Sequence, residues 1–311
     1  MPKFNVEKTI CIDSPIDTVY PMINDFNNWI PWSPWLLMEP EAKVEVANDS
    51  KFYSWDGDRV GSGNMSVLSE DQVGENKVVK YDLNFLKPWK SQADVSFVLT
   101  PLSDKQTQVS WTMDSSLPFF LFWMKKMMIT FIGMDYQRGL NMLKELVETG
   151  SINSKIEMQG ESHFPGTLYI GIESQCAFDD IGPAMSRDFT ALESFMENHT
   201  ALINGKSFSI YHKWNMSKQI ASYTAAIPVS EIPDNLPDNM IHAKRPDTKV
   251  FTLRHTGAYM HLGNAWSTLY TMERNKEIAC KKGQHPLEVY ENNEADVAAN
   301  ELITDLKFPI K

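Results

Sequence analysis

Apolar and polar residues alternate in short runs through the first third of the chain, and these runs predict strands. The first is FNVEKTICI (4–12), which ends in a helix start: Ser14 is the expected N-cap, Pro15 the first helical position and Asp17 a first-turn acid. A helix through Tyr20–Asn24 follows, and then the cluster DFNNWIPWSPW (25–35), whose prolines confine its three tryptophans to short turns. AKVEV, KFYSW, GNMSVLSE, KVVKYDLNF, ADVSFVLTPL and TQVSWTM come next, separated by polar turns, and predict a meandering antiparallel sheet. Gly61-Ser62-Gly63 reads as a strand-entry turn, since no helix and no lysine follow to make a phosphate loop.

The period then changes. Residues 118–149 are helical, with Ile132, Tyr136, Leu140, Leu143 and Val147 at three- and four-residue steps and Gly150 as the expected C′ residue. GSINSK (150–155) is short and polar, and divides the chain into expected domains at residues 1–150 and 156–311.

The second half repeats itself. SFSIY (207–211) returns as PLEVY (286–290) at an offset of 79, and IG-PA (181–184) as LG-NA (262–265) at an offset of 81. Each copy reads strand, helix, strand, strand, which predicts duplication inside one pseudo-symmetric domain. EIPDNLPDNMIHAKRPD (231–247) reads as the linker between copies.

Composition narrows the possibilities. The 311 residues suit two domains, and 42% hydrophobic with 22% charged residues is ordinary for a globular chain. The net charge of −11 is evenly spread: residues 1–150 hold 14 Lys/Arg against 20 Asp/Glu, and residues 151–311 hold 15 against 20. Without a basic stripe, no direct nucleic-acid partner is expected. Cys11, Cys176 and Cys280 are scattered and form no CxxC, as in a reducing compartment. The opening MPKFNVEKTI lacks an apolar signal core. The most apolar window, PFFLFWMKKMMITFIGM (118–134), is interrupted by Lys125 and Lys126 and is too short to span a bilayer. A cytoplasmic location and no membrane partner are therefore expected. No histidine spacing matches a metal site, no GxSxG element is present, and no cofactor is expected.

The residues also carry two resemblances. The opening strand, DSPIDTVY, DFNNWIPWSPW, RVGSGNMSV and MDYQRGLNMLKELVE resemble the START-like, polyketide cyclase/dehydrase family. That resemblance implies a helix-grip fold, in which a curved antiparallel sheet wraps a long helix around an apolar, ligand-binding cavity. Trp29, Trp32 and Trp35 would close one end of it or form a second nucleus under a loop; Met127, Met128 and Phe131 would border it. LRHTGAYMHLGNAW (253–266), LEVYENN and the terminal LITDLKFPI resemble the gyrase-inhibitor-like effector-binding domain of AraC- and MerR-type regulators. Ala258 stands where that family usually has proline. This second resemblance implies an α+β domain of two β-α-β-β halves around a groove for hydrophobic, often cationic, small molecules. A family glutamate that reads the charge falls by motif on Glu288. The family's DNA-binding helix-turn-helix is expected to be missing, with the START-like part in its place.

The stretch HPLEVYENN sharpens the question. Alternation puts Glu288 and Tyr290 on one strand face and Leu287 and Val289 on the other. In the duplicate, Phe208 and Ile210 match the aliphatic pair, which is expected to pack on helices, while Ser209 and Tyr211 match Glu288 and Tyr290. The groove would then be lined by two tyrosines and one acid, with Tyr259 and Trp266 as further candidates. A carboxylate among rings is costly to ionise, and a bound cation is the partner it lacks. The bland alternative is an exposed strand glutamate that solvates an edge. Three functions remain open: a non-enzymatic binding protein that senses or sequesters apolar or cationic amphiphiles; a hydrolase of small electrophiles with Glu288 as general base and Tyr259 or Tyr290 as proton donor; and a regulator acting through an unknown protein partner.

Overall fold

Seven of the expected alternating runs pair into one sheet. The computed structural model describes residues 3–88 and 90–311, so that Met1, Pro2 and Trp89 lie outside the described residues. The chain divides into two units, Met1–Asn153 and Ser154–Lys311.

In the first unit, β1 (Lys3–Ile12) is followed by short helices α1 (Ile16–Val19) and α2 (Pro21–Asn24). Strands β2 (Lys43–Val46), β3 (Phe52–Gly57), β4 (Gly61–Val73), β5 (Asn76–Lys87), β6 (Ser91–Ser103) and β7 (Gln106–Ser116) then lead into α3 (Lys125–Thr149). The sheet order β1-β7-β6-β5-β4-β3-β2 is a meander whose first strand returns beside its last. Ser14 is not the N-cap: Pro15 holds that position, no side chain caps α1, and Pro21 starts α2 after a single turn. Gly150 ends α3 in the left-handed region at φ 79°, its N–H donating to Leu146 O at 2.9 Å.

The tryptophans of DFNNWIPWSPW do not form a separate nucleus. Trp29 and Trp32 are buried in the main core with Phe97, Trp111 and Tyr136, and Trp35 packs half-buried on its edge. The ring of Trp111 lies 3.8 Å from that of Tyr136 on α3 with planes 12° apart, and 4.8 Å from that of Phe97. The side of the sheet that packs on α3 is thus filled with rings. Phe131 faces away from this core and is exposed, contrary to its expected place beside a cavity.

The second unit contains β8 (Ser154–Phe164), β9 (Thr167–Ala177), α4 (Ile181–Met196), β10 (Phe208–Asn215), β11 (Ile220–Val229), β12 (Ile241–Arg245), β13 (Thr248–Gly257), α5 (Leu262–Arg274), β14 (Leu287–Tyr290) and β15 (Ile303–Pro309). Its sheet order is β12-β9-β11-β10-β14-β15-β13-β8. Two strand–helix–strand–strand copies meet at the β10–β14 pair. The leading strands are exchanged: β8, ahead of the first copy, pairs with β13, and β12, ahead of the second, pairs with β9.

Neither β8 nor β12 is expected from sequence: β12 lies inside the predicted linker 231–247, and β8 in the stretch between the predicted domain boundary and the first copy. As edge strands they need an apolar face only weakly, and six of the eleven β8 residues are exposed. Among the described residues no helix is long and apolar enough to cross a membrane.

Candidate functional site

The central strands of the second unit are buried on both faces, and alternation alone does not say which face meets the helices. The structure reverses the expected assignment. Phe208, Ile210, Leu287 and Val289 cluster with Tyr169 and Ala226 on the face away from α4 and α5. Ser209, Tyr211, Glu288 and Tyr290 point instead toward the helices, where Tyr211 shares a core with Met185 on α4 and Trp266 on α5.

Glu288 is only 3% exposed, so the edge-solvating alternative does not hold. Trp266 Nε1 donates to Glu288 Oε1 at 2.5 Å. The Tyr211 and Tyr290 hydroxyls both donate to Oε2, at 2.9 and 3.0 Å. Ser209 Oγ lies 2.9 Å from the Tyr290 hydroxyl and 3.3 Å from Met185 Sδ. Among the described residues no lysine, arginine or histidine bonds the Glu288 carboxylate.

Burial raises the pKa of Glu288, and the three donors, which favour the anion, only partly offset it. Burial, followed by the neighbouring carboxylate, drives the Tyr211 and Tyr290 hydroxyls well above their ordinary range. Both therefore stay protonated as donors throughout the pH range in which the acid titrates.

Rings enclose this carboxylate. Trp214 stacks on Tyr211 at 5.1 Å with planes 8° apart, and Trp266 meets Tyr211 edge-on at 4.8 Å. Phe189 from α4 and Tyr259 meet Tyr290 edge-on from two sides, at 5.4 and 5.8 Å. Tyr259 is the most open of them, and burial raises its pKa to about 12. The five residues expected at the site are thus brought together: Glu288, Tyr211, Tyr290 and Trp266 by direct hydrogen bonds, Tyr259 through the ring of Tyr290.

Trp214 and Phe189 are not among the expected residues. Regular alternation puts Trp214 on the opposite face from Tyr211, but the register shifts between Tyr211 and Lys213, and the extra residue His212 returns Trp214 to the side of Tyr211. No residue type in the sequence marks such a bulge. Phe189 sits one position from Asp188, a second buried carboxylate, which accepts from the Tyr223 hydroxyl at 2.7 Å and from Arg187 Nη2 at 2.9 Å. Asp188 is paired with a guanidinium, whereas among the described residues Glu288 has no cation.

His255 and His261 form no metal centre; among the described residues no group of three or more His, Cys, Asp or Glu is placed to hold an ion. His255 Nε2 lies 3.0 Å from Ser154 Oγ, and burial, with His261 nearby, lowers its pKa to about 4.

Several solved structures are similar to parts of the chain. The C-terminal domain of EcmrR is 17% identical, covering 51% of this chain and 98% of that one, with a TM-score of 0.39. SAV2435 bound to tetraphenylphosphonium is 14% identical over 50% of this chain and 94% of that one, with a TM-score of 0.40. A START superfamily protein from Mycobacterium smegmatis is 18% identical over 47% and 99%, with a TM-score of 0.34. No curated protein sequence matches the chain. The family model for polyketide cyclase / dehydrase and lipid transport matches residues 3–148, and that for the GyrI-like small molecule binding domain matches residues 162–311. The chain accordingly joins a START-like domain of the polyketide cyclase / dehydrase and lipid transport family to a GyrI-like small molecule binding domain.

Proposed function

We propose that residues 1–150 and 156–311 are two ligand-binding domains, and that the second captures apolar and cationic amphiphilic molecules as a sensor or sequestering protein. One observation carries this reading: a buried carboxylate with three hydrogen-bond donors, walled by rings, has no cation of its own. A delocalised cation supplies the missing charge, and ring faces add about 0.5–2 kcal/mol of cation–π attraction. The guest reaches Glu288 by turning aside Tyr259 and Phe189, the rings that cover Tyr290. Binding is favoured over hydrolysis because both carboxylate oxygens already accept bonds, which leaves a nucleophilic water no place on the base.

The test is calorimetric titration of the full chain and its Glu288→Gln variant with tetraphenylphosphonium and with neutral triphenylphosphine oxide. The variant is expected to bind the cation at least tenfold more weakly and the neutral oxide within about twofold of the parent. Affinity of the parent for the cation is expected to rise with pH, because the guest displaces the proton held by the raised carboxyl group. Equal cation affinities in the two proteins overturn the reading.

A further inference from the structure

The first unit exposes aromatic surface that its own fold does not use. Between β7 and α3, the turn Phe119–Met124 presents Phe119, Phe120, Phe122 and Trp123, which are 78, 73, 60 and 67% exposed. Phe131 and Met134, about two and three turns further along α3, are exposed as well. With roughly 200 Å² per aromatic side chain, the turn alone shows on the order of 500 Å² of apolar area to solvent. That lies within the roughly 300–600 Å² of the largest apolar patch on a typical monomer, and patches of this size are often functional.

Charge identifies the partner. Residues 115–134 contain no Asp or Glu and two lysines, in a chain whose net charge is −11. Lys125 and Lys126 directly follow the aromatic turn, and among the described residues neither is paired with an acid. Rings that enter the headgroup boundary, with unpaired lysines beside them and acids kept away, match the chemistry of an anionic bilayer surface. The lysines that prevent this window from spanning a bilayer are placed to hold it on one.

We propose that the Phe119–Met124 turn and the first turns of α3 dock the START-like domain onto membranes bearing anionic lipids, with Phe119, Phe120, Phe122 and Trp123 inserting and Lys125 and Lys126 meeting the headgroups. This docking is independent of the Glu288 site: it places the protein where apolar and amphiphilic guests partition. It replaces the expectation of no membrane partner, which rested on spanning alone.

The test is flotation of the full chain with vesicles of phosphatidylcholine, with and without about 30% phosphatidylglycerol. The parent is expected to float with the anionic vesicles and to be released by salt. The Phe122→Ser/Trp123→Ser variant is expected to stay in the soluble fraction. The Lys125→Gln/Lys126→Gln variant is expected to partition about 30-fold less, at about fivefold per lysine. A thermal melt of each variant excludes misfolding; these side chains lie outside the core and the melts should coincide. The proposal is overturned by absence of parent binding, by equal binding of the aromatic variant, or by equal binding to neutral and anionic vesicles. A lipid-free dimer that the aromatic substitutions dissolve, without any flotation of the parent, also overturns it and assigns the patch to a second copy of the chain.

Discussion

Ser209 and Glu288 stand directly opposite one another in the β10–β14 pair, and each is the other's counterpart in the duplication. The pseudo-twofold axis therefore passes between them. For that reason Tyr211 and its counterpart Tyr290 converge on the same oxygen, Glu288 Oε2. On the helices, Met185 occupies in the first copy the place of Trp266 in the second, so Ser209 meets a thioether where Glu288 meets an indole N–H. Duplication supplied a symmetric aromatic frame, and divergence at two positions placed one acid and its donor on the axis.

Glu288 holds its proton more tightly in the folded chain than in the unfolded one, where 4.5 is ordinary. Between those two values the native state binds more protons, so this residue lowers stability as pH rises. Glu288→Gln removes that slope and is expected to stabilise the second unit at pH 8 by about 1–3 kcal/mol. The amide oxygen can accept from Trp266 and the amide nitrogen can donate to the two tyrosine hydroxyls, so no partner is orphaned. Urea denaturation at pH 5 and pH 8 measures this: the gain should be smaller at pH 5.

His255 acts in the opposite direction. Its pKa falls from 6.5 to about 4 on folding, so the unfolded chain binds more protons between those values. The stability it contributes is complete above pH 6.5 and lost as pH falls toward 4, amounting to about 3 kcal/mol. In the parent, the slopes of His255 and Glu288 oppose each other over this range. His255→Gln should therefore lessen the loss of stability on acidification relative to the parent, and Glu288→Gln should steepen it. Urea midpoints of both variants at half-unit intervals from pH 4.5 to 7 check the two signs.

Trp266→Phe removes the donor to Glu288 Oε1 and leaves that oxygen buried without a partner. Tyr211→Phe removes one of the two donors on Oε2, and Tyr290 remains. The first is expected to cost about 2–3 kcal/mol and the second about 1 kcal/mol, because an orphaned buried acceptor carries its full desolvation penalty. Both variants should raise the Glu288 pKa further. Denaturation at pH 8 gives the order, and the difference should shrink at pH 5 as the acid becomes protonated.

The meander of the first unit and the duplication of the second were legible, because alternation and a repeated offset can be read directly along the chain, whereas Glu288 was singled out by the family resemblance and the return of β1 beside β7 was not marked. The face of β14 that meets the helices was not legible: Leu287 and Val289 on one side, and Tyr290 on the other, are all apolar enough to pack. Trp214 was hidden by the bulge at His212, which changes sidedness without a residue-type signature. Strands β8 and β12 were hidden because edge pairing uses backbone bonds. The exposure of Phe119, Phe120, Phe122 and Trp123 was equally hidden, since an apolar window reads as buried until the fold shows what covers it.

Two glycines of α3 separate packing from propensity. In an ordinary helix interior, alanine is worth about 0.5–1 kcal/mol over glycine. At Gly133 a Cβ would meet Lys8 Cε at 3.4 Å and Val6 Cγ1 at 3.8 Å, which is ordinary contact with a movable lysine tip. Gly133→Ala should follow propensity and stabilise the first unit by about 0.5 kcal/mol. At Gly139 a Cβ would meet the Trp111 ring at 2.8 Å and Pro34 Cδ at 3.3 Å. Trp111 is held between Tyr136 and Phe97 and has no room to retreat. Gly139→Ala should therefore cost about 1–3 kcal/mol despite its better propensity, as overpacking does in a filled core. Opposite signs in the thermal melts of the two variants, with loss of near-ultraviolet tryptophan signal only in the second, would confirm that the ring column sets how closely α3 approaches the sheet; a gain of stability in both would show that the column yields.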